Sequence, residues 1–298
     1  MMAILPTAYY NSLSLGQKQG DESLMYEQLR KVQLVELDIL KKVIALCEKH
    51  NIEYFAAWGT LLGAVRHKGF IPWDDDVDLM MPRPEYERFC EIARQELEYP
   101  YFLQINKTDP LYNLHFAKVQ NLETAFVGTH KPRSLKAGIF IDVFPIDAAP
   151  NTKQQKIIKQ KYRLYKYCAY DFFNYEPSFG DVFKRSIGKM INYTIFGNKP
   201  PRFFFDKQEM LYKSCKYAEA DIVIDYSEKF YFAKQLLNER IYIDFEDTQL
   251  CCPAKYDILL TMLYGDYMTP PPIEKRAVHH DIFALSTEKS YMEFIKER

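Results

Sequence analysis

Trp58-Gly59-Thr60-Leu61-Leu62-Gly63-Ala64-Val65-Arg66-His67-Lys68-Gly69-Phe70-Ile71-Pro72-Trp73-Asp74-Asp75-Asp76-Val77-Asp78 is the stretch on which the fold turns. Just ahead of it, Tyr54-Phe55-Ala56-Ala57-Trp58 is a short apolar run suited to a buried strand. Gly59-Thr60 reads as a turn from which residues 61–65 start a short helix, and residues 66–73 as a polar loop with Gly69 and Pro72. Val77-Asp78-Leu79-Met80-Met81 then reads as a strand ended by Pro82, and Pro84 opens a helix over about 85–96. Strands and helices alternating around an acidic cluster place the chain in the α/β (α+β) class, with the acids on the edge of a sheet.

The acids carry the chemistry. On a strand, Asp76 and Asp78 share one face while Val77 enters the core. Two like charges about 4 Å apart repel by roughly 4 kcal/mol at an effective dielectric of 20. A divalent cation reverses that sign, and hard Mg²⁺ or Mn²⁺ prefers carboxylate oxygen. The bland alternative is a solvated acidic loop. A calcium loop of the EF-hand kind fails, because its sixth position must be Gly and here is Leu79. Asp142 is a lone acid within Ile139-Phe140-Ile141-Asp142-Val143-Phe144, so it is either a third metal carboxylate or a core acid paired with a Lys. Asp147 is a weaker candidate. Gly59 and Thr60, at a helix N-terminus, offer amides and a hydroxyl as a phosphate seat. Arg66, His67 and Lys68 are either a phosphate clamp or a solvated basic loop.

Working outward, residues 25–50 carry Leu29, Val32, Val35, Ile39, Val43 and Leu46 at helical steps, after an irregular segment over 1–24. Short β-like runs follow at 101–105, 115–119, 124–127 and 138–144, the last closed by Pro145. Residues 151–220 turn Lys- and Tyr-rich and helical. A further strand is expected over 241–245, a helix over 254–263, then a proline-rich loop. The division expected is a catalytic core over 25–150, a helical insertion on the acceptor side over 151–235, and a C-terminal part over 236–298 that completes the catalytic domain.

Bulk composition narrows the function classes. The 298 residues are 48% apolar and 27% charged, ample for a core, and the net charge of −1 argues against nucleic acid as a partner. The six cysteines form no CxxC pair and read as free thiols in a reducing compartment. No secretory signal and no run of 18 apolar residues is present, so the expected address is cytoplasmic.

The succession hydrophobic-Gly-Thr, Asp-hydrophobic-Asp, then an isolated acid on a later strand resembles the nucleotidyltransferase superfamily. The longer run from Trp58 to Asp78, continuing to Arg83, resembles one branch of it, the LicD family, phosphocholine transferases related to fukutin-type transferases. Phe140-Ile141-Asp142-Val143-Phe144-Pro145-Ile146-Asp147 and Tyr264-Gly265-Asp266-Tyr267-Met268 support it. The resemblance implies a nucleotidyltransferase-like mixed sheet flanked by helices, with an additional helical subdomain. It also implies a metal-dependent enzyme that moves a phospho-group, above all phosphocholine from CDP-choline. The acceptor is then a hydroxyl of a cell-surface glycan, a lipopolysaccharide or a teichoic-acid precursor. A CDP-ribitol or CDP-glycerol donor, or a sugar transferase using a nucleotide sugar, are the alternatives. On this view Asp76, Asp78 and Asp142 hold Mg²⁺ or Mn²⁺, and Asp142 takes the acceptor's proton. Gly59, Thr60, Arg66, His67, Lys68 and Lys118 meet the donor. Trp73 and Tyr267 are candidate walls for a trimethylammonium group. His115 is assigned a structural role. A lipid-linked acceptor would bring the enzyme to the inner membrane face, where residues 189–205 either dock or, the preferred reading, form core helix and loop.

Overall fold

Seven of the strands form one mixed sheet, five of them in a continuous row. In chain order the first six are β1 (Phe55–Ala56), β2 (Asp78–Pro82), β3 (Tyr101–Gln104), β4 (Ala117–Asn121), β5 (Ala125–Gly128) and β6 (Ile139–Ala148), and the sheet order is β1-β2-β6-β4-β3. The computed structural model describes residues 19–129, 132, 134–173, 181–276 and 282–295. Most of the N-terminal segment read as irregular lies outside them. β2 and β6 run parallel, whereas β1–β2, β4–β6 and β3–β4 are antiparallel.

Because side chains alternate along a strand, register decides which residues share a face. Leu79, Val143 and Ala117 align on one face and, with Ile141, Val119 and Leu103, are buried. On the opposite face Asp78, Asp142, Lys118 and Gln104 align across β2, β6, β4 and β3. One face is thus apolar core, and a polar row crosses the other beside the buried Met80, Phe140 and Phe144. Helix α1 (Gln19–Lys49) packs on β6 and β4 and adds Ile39, Leu40 and Val43 to the core.

Several boundaries differ from the sequence reading. The first strand shrinks to Phe55–Ala56, and helix α2 (Trp58–His67) starts at Trp58, so Gly59-Thr60 sits in its first turn rather than before it. Trp58 makes the sharp bend itself, with φ +43°, and its buried ring packs edge-on to Phe230 at 5.4 Å. Asp76 precedes β2, so strand alternation does not place it beside Asp78. Pro82 is the last residue of β2, as read, whereas Pro145 lies inside β6 rather than closing a strand. Asp142 donates its N–H toward the β2 side, to the carbonyl of Val77 at 2.8 Å. Alternation therefore turns the nitrogen of Pro145 to the other side. There the pairing of β6 with β4 stops at Val143, opposite Ala117, and β7 pairs only from Asp147. A residue without an N–H costs nothing in that gap.

Helix α3 (Arg83–Glu96) follows β2 with Pro84 in its first turn. The stretch read as a helical insertion holds α4 (Thr152–Cys168), α5 (Tyr170–Phe173), α6 (Val182–Phe196) and α7 (Pro201–Tyr212). Asn151 and Gln154 close a reciprocal capping box on α4. Phe204 and Phe205 are buried, and Phe196 and Phe203 pack against Phe204, so these rings form core. The same stretch also contains β7 (Ile222–Asp225) and β8 (Phe230–Ala233), which extend the central sheet from the end of β6. A hairpin of β9 (Arg240–Phe245) and β10 (Thr248–Pro253) buries Cys251 and Cys252, and all six cysteines are free. Helix α8 (Tyr256–Tyr264) packs on α2, and β11 (Ile282–Ser286) pairs with β5. Among the described residues no helix is long and apolar enough to cross a membrane.

Candidate active site

Asp78 opens β2 and is 8% exposed; its N–H donates to the Thr60 hydroxyl at 2.8 Å, and its carbonyl accepts from Ala57 at 3.0 Å. Its neighbour in register is Asp142, whose carboxylate accepts two hydrogen bonds from the Lys118 ammonium, at 2.7 and 3.0 Å. That ammonium also lies 3.2 Å from the centroid of the Phe140 ring. Of the two readings of Asp142, the acid paired with a Lys is therefore formed in this geometry, beside the other acids.

Asp74, Asp75 and Asp76 each bring one carboxylate oxygen to within 4.8 Å of the others. Asp74 and Asp75, to which the sequence reading gave no ligand role, thus belong to its densest part. Burial, then the charges of Asp76 and Asp75, pushes the Asp74 carboxyl up to about 8. Burial also raises Asp78, followed by the charges of Asp76, Asp142 and Asp74, with Lys118 opposing. Like charges gathered in poor solvent destabilise one another unless a cation joins them. The donor set is all hard carboxylate oxygen, which fits Mg²⁺ or Mn²⁺. Asp76, Asp78 and Asp142 remain the candidate ligands, with Asp74 and Asp75 alongside.

A further acid comes from α1. Glu36 is 1% exposed, and its Oε2 has no hydrogen-bond partner among the described residues. Burial raises its carboxyl, and so do Asp76, Asp75, Asp74 and Asp142, so it shares their field. One turn earlier Gln33 donates to the carbonyls of Ile71 (3.3 Å) and Asp74 (2.9 Å), clamping the acidic loop onto the helix. The sequence held a signal. Glu36 falls four residues after Val32 and three before Ile39, on the apolar stripe, where a charge needs a reason.

The phosphate seat changes shape. The Thr60 hydroxyl is buried and engaged by the Asp78 amide, so it supports the acid rather than facing a ligand. A Cβ on Gly59 would meet Asp74 Oδ2 at 2.5 Å, so the absence of a side chain lets the Asp74 carboxylate lie against the first turn of α2. Ala57 supplies no side-chain cap to α2, so what this end offers a phosphate is backbone amide.

On the far end of α2, Arg66 donates to the Tyr267 carbonyl at 2.6 Å and His67 packs edge-on to Trp73 at 6.1 Å. Arg276, missed from sequence, lies 4.6 Å over the Trp73 ring. Burial and the neighbouring arginines lower the His67 pKa, which marks this corner as cationic. A wall already covered by a guanidinium is a poor seat for a second cation. The Tyr267 hydroxyl is engaged too, donating to Asp257 at 2.7 Å. Lys68 is exposed at the C-cap of α2 with φ +59°, and its carbonyl accepts from Glu246 at 2.8 Å. His115 bonds Glu209 and Gln208, each at 2.8 Å, and stacks on Phe205; Asp147 forms a bidentate pair with Arg83 at 2.7 and 2.5 Å. His115 thus ties β4's approach to the helical segment, and Asp147 ties β6 to α3 through Arg83, which itself reaches Glu209 at 3.5 Å.

Residues 51–179, which include every acid of the cluster except Glu36, match the family described as LicD/FKTN/FKRP, nucleotidyltransferase domain. The chain is 35% identical over 265 residues to the lipopolysaccharide cholinephosphotransferase LicD of Haemophilus influenzae, covering 85% of this chain and 96% of that one. It is also 41% identical over 69 residues to an uncharacterized protein of Rickettsia typhi, covering 23% of this chain and 22% of that one. A likeness sustained over almost the whole cholinephosphotransferase, with the site's acids inside the matched domain, settles the family: the chain belongs to LicD.

Proposed function

We propose that this protein transfers phosphocholine from CDP-choline to a hydroxyl of a lipopolysaccharide-type glycan, with Mg²⁺ or Mn²⁺ at the carboxylate cluster. The identity to the Haemophilus influenzae cholinephosphotransferase supports the reaction class. The observation that carries the mechanism is the in-register row Asp78–Asp142–Lys118 beside Asp74, Asp75 and Asp76.

In this reading Asp76, Asp78 and Asp142 would hold the metal, which when bound would supply positive charge to the diphosphate and to departing CMP. The acceptor oxygen forms a bond to the choline-bearing phosphorus as the bond from that phosphorus to the CMP oxygen breaks. The hydroxyl proton passes to a carboxylate of the row, with Asp142 the first choice because its pair with Lys118 orients it. The backbone amides opening α2, the cations Arg66 and Arg276 and the neutral imidazole of His67 receive phosphate oxygens. The reading places the enzyme in the cytoplasm, at the inner membrane face when the glycan is lipid-linked.

Donors with ribitol or glycerol in place of choline, and nucleotide sugars, are the competing substrates. Incubation with Mg²⁺ and CDP-choline, CDP-ribitol, CDP-glycerol or UDP-sugars, followed by measurement of released nucleotide, separates them. Turnover of UDP-sugars alone overturns the proposal.

A further inference from the structure

Beyond the metal end of the polar row, the same sheet face forms the floor of a cavity of about 350 Å³. Asp142 and Lys118 stand at one end of it, and Gln104 and Gln120 line its interior. Phe116, Phe126 and Phe140 supply aromatic walls, the last two meeting edge-on at 5.1 Å. The size suits a small planar ligand. From Asp142 on β6 to Gln104 on β3 the cavity crosses two strand spacings, about 10 Å.

The hydrogen-bond inventory of the floor is one-sided. Both amide protons of Gln104 are spent, on Asp109 Oδ2 (2.9 Å) and the Lys136 carbonyl (3.0 Å). Gln120 donates to Gln104 Oε1 and, at 3.5 Å, to the same Lys136 carbonyl. The N–H of Gly138 donates to Gln120 Oε1 at 3.2 Å. Each amide carbonyl has two lone pairs, so the capacity left over is acceptor capacity alone. This floor suits a ligand that donates there and disfavours one that brings another carbonyl.

We infer that this cavity takes the nucleobase of the donor and selects an amino-bearing pyrimidine, cytosine, over uracil. The assignment rests on the CDP-donor reading above. With the phosphates at Asp142 and Lys118, the ribose leads along the row and the ring lies between the aromatic walls. Its exocyclic amino group then reaches the glutamine oxygens, whereas neither glutamine has an amide proton left to give to the oxo group of uracil. The choline half does not belong here: a quaternary ammonium donates no conventional hydrogen bond and would sit beside the Lys118 ammonium.

The test is titration calorimetry of the full chain with CMP, UMP and phosphocholine in Mg²⁺, on the unmodified protein and on Leu114→Trp. Leu114 lines the cavity outside the polar row, and the larger indole fills it. CMP is expected to bind at least tenfold tighter than UMP. In Leu114→Trp, CMP binding is expected to fall at least tenfold while phosphocholine binding stays unchanged. Equal affinity for CMP and UMP overturns the selection, and needs no variant. Undiminished CMP binding by Leu114→Trp with a native melting profile overturns the cavity assignment and leaves the CDP-donor reading standing. No CMP binding by the unmodified protein overturns both.

Discussion

Asp78 and Asp142 stand side by side in register on the parallel strands β2 and β6, and the backbone between them is closed by the Asp142 N–H on the Val77 carbonyl at 2.8 Å. The central sheet thereby holds two carboxylates that would avoid each other in a flexible loop. Lys118, on the next strand, offsets part of their charge, and the Asp74–Asp76 loop adds more on the other side. Repulsion held between these two inner strands is the kind that a cation, or a substrate that brings one, would relieve.

Neutralising one acid separates catalysis from stability. Asp76→Asn and Asp78→Asn are each expected to lower turnover at least about a thousandfold while the metal-free protein melts at the same temperature or higher. The relief of repulsion is worth on the order of 1–4 kcal/mol before solvent relaxation. Nucleotide release and thermal melts in EDTA check both halves; near-normal turnover in either variant sinks the metal assignment.

Glu36 deserves the same treatment from the helix side. Glu36→Gln keeps shape and removes one charge from the shared field, so the fold is expected to stand. Mg²⁺ affinity, read from the metal-induced rise in melting temperature, is expected to drop about tenfold. An unchanged Mg²⁺ titration would show that Glu36 only fills space.

The strand and helix sequence from Trp58 to Glu96 was legible because its apolar periods are strong and its acids are concentrated. What the sequence hid depends on pairing. Pro145 looks like a terminator until one sees that its nitrogen faces the gap between β4 and β7. Thr60 looks like a ligand group until Asp78, 18 residues on, is seen to engage its hydroxyl. Lys118 was singled out for the nucleotide, but its partner Asp142 lies 24 residues away on a strand whose register no local pattern fixes. β7 and β8 lie within the span 151–235 assigned to a helical insertion, and the sequence reading places no strand there, because their place in the sheet is set by pairing with the far end of β6.

Thr60 now makes its own prediction. Thr60→Val leaves the buried Asp78 N–H without its acceptor, which costs about 1–3 kcal/mol. The loss is expected in unfolding free energy, with KM for the donor nearly unchanged where folded protein remains. A large rise in KM at unchanged stability would return the hydroxyl to the phosphate seat.

Glu209 governs the acid limb of stability. Burial pushes its carboxyl up, but the His115 hydrogen bond and the charges of Arg83, His115 and Lys213 outweigh it and hold the pKa down to about 2, from an ordinary 4.5. A depressed carboxylate stabilises the fold fully above 4.5, and that contribution is lost as pH falls from there through about 2. Glu209→Gln is expected to cost about 3 kcal/mol at neutral pH and to flatten the decline below pH 4.5. Melts across pH 2–7 check it; an identical acid limb in the variant refutes the assignment.

Lys118 distinguishes a structural cation from one that stands in for the metal. Its side chain is 13% exposed and that of Asp142 8%, so Lys118→Met strands a buried carboxylate beside Asp78. Breaking such a pair costs about 3–5 kcal/mol. If Asp142 faces the metal, Mg²⁺ supplies the missing positive charge, and the variant gains more stability from Mg²⁺ than the unmodified protein does. Turnover is still expected to fall about a hundredfold, because the ammonium no longer orients the base. A deficit of equal size with and without Mg²⁺ would place the metal beyond Asp142's reach and leave Asp142 as a core acid held by its lysine.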